Sequence, residues 1–139
     1  MFTQSEYLTI LTHAPAAQVK ELAEAIIPQL GDIRVLQNRT GLVMLPAVDS
    51  AEGTTFHLGE VLTSEAHVRL GSGAEGYALV TGRDLEQAMA IALIDAALTA
   101  RILVDEIGHF IAGQAEIQRQ ADETLLRQVQ ATRVEMETF

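Results

Sequence analysis

The chain has no cysteine and no tryptophan, only 3 prolines in 139 residues, and a single lysine, Lys20. Without cysteine there is no disulfide, no thiol nucleophile and no cysteine-ligated metal. No run approaches the ~18 apolar residues a membrane span needs. Met1 leads into "FTQSEYLTIL", which has neither the basic flank nor the apolar core of a secretory leader. These absences describe a soluble, cytoplasmic protein. Positive charge is scarce too: 9 basic residues face 19 acidic ones, for a net charge of -10. Such a surface repels a phosphate backbone and excludes general nucleic-acid binding. A phosphate site would have to be local and built from a few of the arginines, which bind anions through a planar, bidentate fork.

The length suits one domain, able to bury roughly 68% of its unfolded surface in a core that needs no staples. Residues 1–31 read as helical. Ser5–Ala14 forms a short helix with Ser5 as its N-cap, and Pro15–Leu30 a second with Pro15 at its first position. In the second helix Val19, Leu22, Ala23, Ile26, Ile27 and Leu30 make an apolar stripe. Pro28 tightens or ends its last turn, and Gly31 is the stop.

Residues 32–82 read as β-rich. "IRVLQNR" is strand-like, and Asn38–Gly41 predicts a turn. "GLVMLPAV" (Gly41–Val48) is apolar on both faces, the pattern of a central or doubly covered strand, with its far end weakened by Pro46. "DSAEG" is a turn, "TTFHL" a short strand and Gly59 a bend or bulge. Glu60–Leu70 alternates: Leu62, Ser64, Ala66, Val68 and Leu70 share one face, and Val61, Thr63, Glu65, His67 and Arg69 the other. Gly71-Ser72-Gly73-Ala74-Glu75-Gly76 has the G-x-G-x-x-G spacing of a dinucleotide loop. That loop must open a helix. Here "YALVT" follows, a strand, so the glycines close a hairpin.

Residues 84–130 read as helical. Asp84 is the N-cap, with Gln87 completing a capping box. The run "LEQAMAIALIDAALTARILVDEI" is apolar nearly all round, so it is buried on several sides. Gly108 and Gly113 are candidate breaks before a last helix over about Ala115–Gln130. Residues 131–139 alternate and read as an extended tail, an edge strand or an arm for a partner. The fold class is α+β: an antiparallel sheet packed against helices, with an N-terminal helix pair, long C-terminal helices and that tail.

The four histidines, His13, His57, His67 and His109, have no ligand spacing, and no catalytic set or metal motif stands out. Glu65, His67 and Arg69 share a strand face, a candidate small-anion site. A solvated or partner-covered sheet face is the plain alternative. Asp95 is the single charge between Ala88 and Ala100. Buried there, it requires an arginine (Arg69, Arg83 or Arg133) or a run of hydrogen-bond donors, or else a shifted pKa.

In order along the chain, "TGLVML", "FHLGEVLTSEAHVRL", "GYALVTGRD", "AIALIDAAL" and "TRVEMETF" resemble the PhnG family, small subunits of the bacterial carbon–phosphorus lyase machinery. The G-x-G-x-x-G stretch is no part of that pattern. The resemblance implies an accessory subunit acting with PhnH, PhnI and PhnJ, and functionally with the ATPase-like PhnL. Their transferase step displaces adenine from ATP by a phosphonate, giving ribose 1-methylphosphonate 5-triphosphate. ATP and the phosphonate are then substrates of the complex, with no cofactor bound by this chain alone. It carries over no catalytic residue. Arg83, Asp84, Asp95 and Arg133 match the family pattern and become candidates for structural or interface roles. Two other readings remain open: a self-contained anion-binding domain or enzyme centred on Glu65, His67 and Arg69, and a homodimer of the isolated chain.

Overall fold

The computed structural model describes residues 2–48, 51, 53 and 55–137. Its elements run α1 (Gln4–His13), α2 (Ala16–Leu30), β1 (Ile33–Val48), β2 (Thr55–Leu70), β3 (Glu75–Thr81), α3 (Leu85–Thr99) and α4 (Val104–Glu137). The strands form an antiparallel sheet in the order β1-β2-β3, with helices on one side. This is the expected α+β arrangement.

The helix starts are set by side-chain caps. α1 is capped by Thr3 rather than Ser5: Thr3 Oγ1 accepts from the Glu6 N–H, and Glu6 reaches back to the Thr3 N–H. This reciprocal box satisfies two orphan donors where Ser5 would satisfy one. Pro15 sits at the N-cap of α2, one place before its expected position. Val19, Ala23, Ile26 and Leu30 of α2 are buried, whereas Ile27 faces outward. Pro28 stays inside the last turn, and Gly31 ends the helix at φ 71°.

β1 is continuous. Asn38 pairs opposite Ala66 and Gly41 opposite Thr63, so the expected turn at Asn38–Gly41 is absent. Pairing to β2 on this long edge overrides the local turn propensity. Register shifts occur at Val35/Gln37 and Leu45/Pro46, the second beside the Pro46 and Gly59 positions. "GLVMLPAV" lies on an edge strand, not a central one. The turn expected at Asp49–Gly53 falls outside the described residues except for Ala51 and Gly53.

From Ser64 to Leu70 β2 alternates as its sequence dictates; before that Leu62 is only half-buried and Thr63, on the opposite face, is buried. Ser64, Ala66, Val68 and Leu70 are buried under α3, joined by Ala78 and Val80 of β3. The G-x-G-x-x-G stretch closes the β2–β3 hairpin, with Gly73 at φ 94°. Its last glycine has a packing role. A Cβ on Gly76 would lie 1.9 Å from the Ala92 carbonyl oxygen and 2.6 Å from the Ala96 nitrogen. The backbone of α3 rests directly on β3 there, and only glycine fits.

α3 is buried on nearly every side, from Ala90 through Ala97, between the sheet and the other helices. It ends at 100–103, not at a glycine. Arg101 (φ 60°) takes the left-handed position, Ile102 N–H donates to the Ala97 carbonyl and Arg101 N–H to the Leu98 carbonyl. That is a Schellman closure with arginine where glycine is usual. Gly108 and Gly113 lie inside α4, which also absorbs the tail: residues 131–137 are helical, not extended. Arginine, methionine and glutamate are good helix formers, and an existing helix propagates more readily than a new strand begins. Ile107, Ile111 and Gln114 of α4 are buried in the body, and Gln118 donates to the Ile10 carbonyl. From Arg119 to Arg133 every residue is exposed. No helix among the described residues is long and apolar enough to cross a membrane.

Gly76→Ala is expected to lower unfolding stability by about 1–3 kcal/mol or more, the cost of overpacking. Gly113→Ala, with open space around its Cβ, is expected to be neutral or to stabilise by up to about 1 kcal/mol. Urea denaturation of the two variants side by side tests this; equal midpoints would refute the close approach.

Candidate functional site

Asp95 is 1% exposed. Its described partners are hydrogen-bond donors, not arginines. Gln4 Nε2 donates to both carboxylate oxygens (3.2 and 3.3 Å), the Tyr7 hydroxyl donates to Oδ1, and the Tyr77 backbone N–H donates to Oδ2 at 3.0 Å. A run of donors therefore does what Arg69, Arg83 or Arg133 was expected to do. Arg69 points to the opposite face of the sheet, Arg83 is exposed in the turn before α3, and Arg133 lies near the far end of α4. Burial, then the hydrogen bond to Asp95 and the charge of Asp95, push the Tyr7 phenol well above its ordinary value. The Tyr7 hydroxyl thus stays protonated and serves as a donor to Asp95.

A second polar joint locks the β3–α3 turn. Ser64, fully buried, donates to the Gly82 carbonyl (2.7 Å) and accepts from the Asp84 N–H (2.9 Å). Asp84 Oδ1 accepts from the Gln87 N–H at 3.0 Å. The expected N-cap forms, but Ser64 replaces the Gln87 side chain in the other half of the box. Asp84 also meets Lys20 of α2 at 3.2 Å. The Gln87 N–H, followed by Lys20, holds the Asp84 carboxyl below the usual range.

The helix-free face of the sheet carries the candidate triad. Antiparallel register sets Gln37, His67 and Tyr77 in one row and Arg39, Glu65 and Leu79 in the next, with Arg34, Arg69 and Glu75 in a third. Glu65 accepts from Arg39 Nε (2.9 Å) and from the Tyr77 hydroxyl (2.5 Å). Glu75 accepts from Arg69 Nε and Nη2 (3.1 and 2.8 Å) and lies 3.6 Å from His67 Nε2. The His67 and Tyr77 rings meet edge to face, centroids 6.0 Å apart. Glu65, His67 and Arg69 therefore do share a face, but they are tied into a six-residue network with Arg39, Glu75 and Tyr77. The Tyr77 bond holds the Glu65 carboxyl below its ordinary pKa, and the Arg69 bond does the same for Glu75. Glu65 in turn raises the Tyr77 phenol. Both arginines of the network are already neutralised by carboxylates. An anion would have to displace Glu65 or Glu75 to reach them.

Sequence reasoning missed Gln4, Tyr7, Arg39, Glu75 and Tyr77. The hairpin loop held a usable signal: closing at Gly71–Ala74 sets Glu75 opposite Arg69 and Tyr77 opposite His67. Nothing local marks Gln4 and Tyr7, which reach Asp95 across about ninety residues of chain. Among the described residues no group of His, Asp and Glu is placed to hold a metal ion.

A family model described as "Phosphonate metabolism protein PhnG" matches residues 3–139. The chain is 31% identical over 141 residues to a Rhizobium meliloti (strain 1021) protein, the alpha-D-ribose 1-methylphosphonate 5-triphosphate synthase subunit PhnG. The match covers 96% of this chain and 86% of the relative.

With 2 tyrosines and no tryptophan, ultraviolet difference absorbance reads the two networks directly. Both phenols are raised, so both are expected to ionise above the ordinary pH of about 10. The stability each contributes is complete below that pH and is lost as pH rises through the folded-state value. Asp95→Asn turns one acceptor into a donor facing donors. It is expected to cost about 1–3 kcal/mol and to bring the Tyr7 step down part-way, burial remaining. A Tyr7 step unmoved in Asp95→Asn would refute the link. On the acid side Glu65 and Glu75 are depressed, so their contribution holds above the usual glutamate range and is lost as pH falls through their lowered values. Glu75→Gln is expected to flatten that acid limb.

Proposed function

The chain belongs to the PhnG family, and from that premise we propose that it is an accessory, non-catalytic subunit of a ribose 1-methylphosphonate 5-triphosphate synthase in the carbon–phosphorus lyase system. The complex transfers a phosphonate to the ribose C1 of ATP and displaces adenine. This chain supplies surface to the subunits that do so, PhnI- and PhnH-like proteins first, with PhnJ- and PhnL-like proteins in the wider cytoplasmic assembly.

One observation carries the reading. The β1–β2 ribbon runs on past α3, and on it Leu42 is 63% exposed, Met44 59% and Val43 40%. Leu42 and Met44 point to one face and Val43 to the other. The sequence of this strand is that of one covered on both sides, and the described residues of this chain leave Leu42, Val43 and Met44 exposed. A contiguous apolar ribbon on an unprotected edge marks an association surface. The adjoining polar face fits the same role. Its Arg39–Glu65 and Arg69–Glu75 pairs are neutral, and Arg34 opposite Arg69 leaves a local excess of positive charge in an otherwise acidic molecule. The anion-binding alternative centred on Glu65, His67 and Arg69 must break the Arg69–Glu75 pair.

The test is co-purification of the chain with PhnI- and PhnH-like subunits, together with adenine release by the reconstituted complex from ATP and methylphosphonate. Leu42→Glu with Met44→Glu is expected to weaken capture at least tenfold, since each buried apolar side chain contributes about 1.5–3 kcal/mol. The urea midpoint should stay nearly fixed, because both positions are exposed in the isolated chain. Turnover by the isolated chain, or methylphosphonate binding that disappears in Arg69→Ala, would overturn the proposal in favour of a self-contained anion site.

A further inference from the structure

The open face of the sheet departs from the charge of the molecule. On it lie Arg34 and Arg39 of β1, Glu65, His67 and Arg69 of β2, and Glu75 of β3. Three arginines against two glutamates leave one positive charge in excess, with His67 counted neutral, in a chain of net charge -10. That excess is concentrated on β1. Ile33–Val48 holds two arginines and no acidic residue, and both glutamates of the face stand on β2 and β3. The neighbouring acids belong elsewhere. Asp32 precedes the strand at the hairpin end, where its carbonyl accepts from the Gly71 N–H (3.0 Å), and Glu60 pairs opposite Met44, in register with the other face. Arg34 is the charge that the chain leaves unbalanced. It sits directly opposite Arg69, and like charges across a ladder are unfavourable unless each is answered. Glu75 answers Arg69 at 2.8 Å. No hydrogen bond or ion pair among the described residues engages the exposed Arg34 guanidinium. The strand that carries it is open as well. The sheet runs β1-β2-β3, so the outer edge of β1 pairs with no strand among the described residues. β1 is in unbroken register from Gln37 to Leu45, and the features that blunt an edge, a register shift and a proline, are confined to its two ends.

We propose, resting on the accessory-subunit reading above, that the outer edge of β1 is completed by an extended segment of a partner subunit, acidic at one end and aliphatic at the other. An added strand takes its affinity from main-chain hydrogen bonds and presents alternate side chains to each face. On the open face its carboxylates meet Arg34 first and, about 16 Å along the strand, the outer side of Arg39. Further on, its aliphatic residues cover Leu42 and Met44 on one face and Val43 on the other, all exposed in this chain. One segment thereby answers the unbalanced guanidinium, the open edge and the exposed apolar side chains. A second copy does not have the chemistry for it. Its own β1 repeats two arginines without an acid, and the one acid of its other edge strand, Glu75 of β3, is held by Arg69.

Capture of PhnI- and PhnH-like subunits by the full chain tests the added strand, read as affinity against salt and as amide hydrogen exchange. Arg34→Glu is expected to weaken capture about tenfold or more, because the incoming carboxylate then meets a like charge. Arg34→Lys keeps the charge without the fork and should fall between the two. Wild-type capture should weaken as salt rises from about 50 to 300 mM, and the complex should slow amide exchange over residues 37–45 of β1. Folding is not at risk in Arg34→Glu, since a carboxylate there faces Arg69, and an unchanged urea midpoint checks it. Full capture by Arg34→Glu would overturn the inference, as would β1 amides that exchange equally fast in the complex. So would an equal loss in Arg127→Glu, the same change of net charge on exposed α4 surface. A dimer of the isolated chain that Arg34→Glu abolishes would give the edge to a second copy and overturn it too. Each of these results leaves the accessory-subunit reading standing. A wild-type chain that captures neither subunit fells that reading and the inference with it.

Discussion

A carboxylate with no counter-cation sits at the centre of this fold. Asp95 is placed on the most apolar helix of the chain, where an uncompensated charge costs several kcal/mol. Its compensation comes from oriented dipoles: a carboxamide and a phenol from α1 and a main-chain N–H from β3. Because these donors come from separate elements, the charge is satisfied only when α1, α3 and β3 are all in place. The requirement makes the arrangement specific rather than merely stable, since an apolar residue at this position would hold none of the three in register.

Tyr77 carries that constraint through the sheet. Its backbone is held from the helix side by Asp95, while its hydroxyl holds Glu65 on the open side, and Glu65 in turn holds Arg39 on β1. A hydrogen-bonded path therefore joins the N-terminal helix to the farthest strand. Beside it, α3 touches β3 backbone to backbone at Gly76, so the helix has little freedom to slide. The β1–β2 ribbon and the second half of α4, both built of regular structure, carry exposed apolar residues: Leu42, Val43 and Met44 on the first and Leu125, Leu126 and Val129 on the second.

Much of this was legible in the residues. Alternation in Glu60–Leu70 gave the two faces of β2 from Ser64 onward, though not the burial of Thr63; the all-round apolar character of α3 announced its burial, and the strand after Gly76 identified the glycine run as a hairpin. Asp95 stood out because a lone charge in an apolar helix must be answered. The misses share a cause, the dominance of tertiary pairing over local signals. Asn38–Gly41 has turn chemistry, yet sixteen-residue strands pair straight through it. The α3–α4 break has no glycine at its left-handed position, and the glycines that suggested a break are carried within a long helix. The short alternation at 131–137 mimics a strand, but the helix already running through it prevails. The identity of Asp95's donors was out of reach, because contact between positions 4, 7, 77 and 95 exists only once the chain has closed on itself.

Lys20 bridges Asp84 and Glu86, at 3.2 and 3.8 Å, where α2 meets the start of α3. It is also the one lysine in the sequence. Acylation, whether by a cellular acetyl donor or by a laboratory amine reagent, therefore has a single side-chain address on this molecule, at a joint between two helices. Any such label would report on the entrance to α3 and leave the ribbon, the open sheet face and the exposed end of α4 chemically untouched.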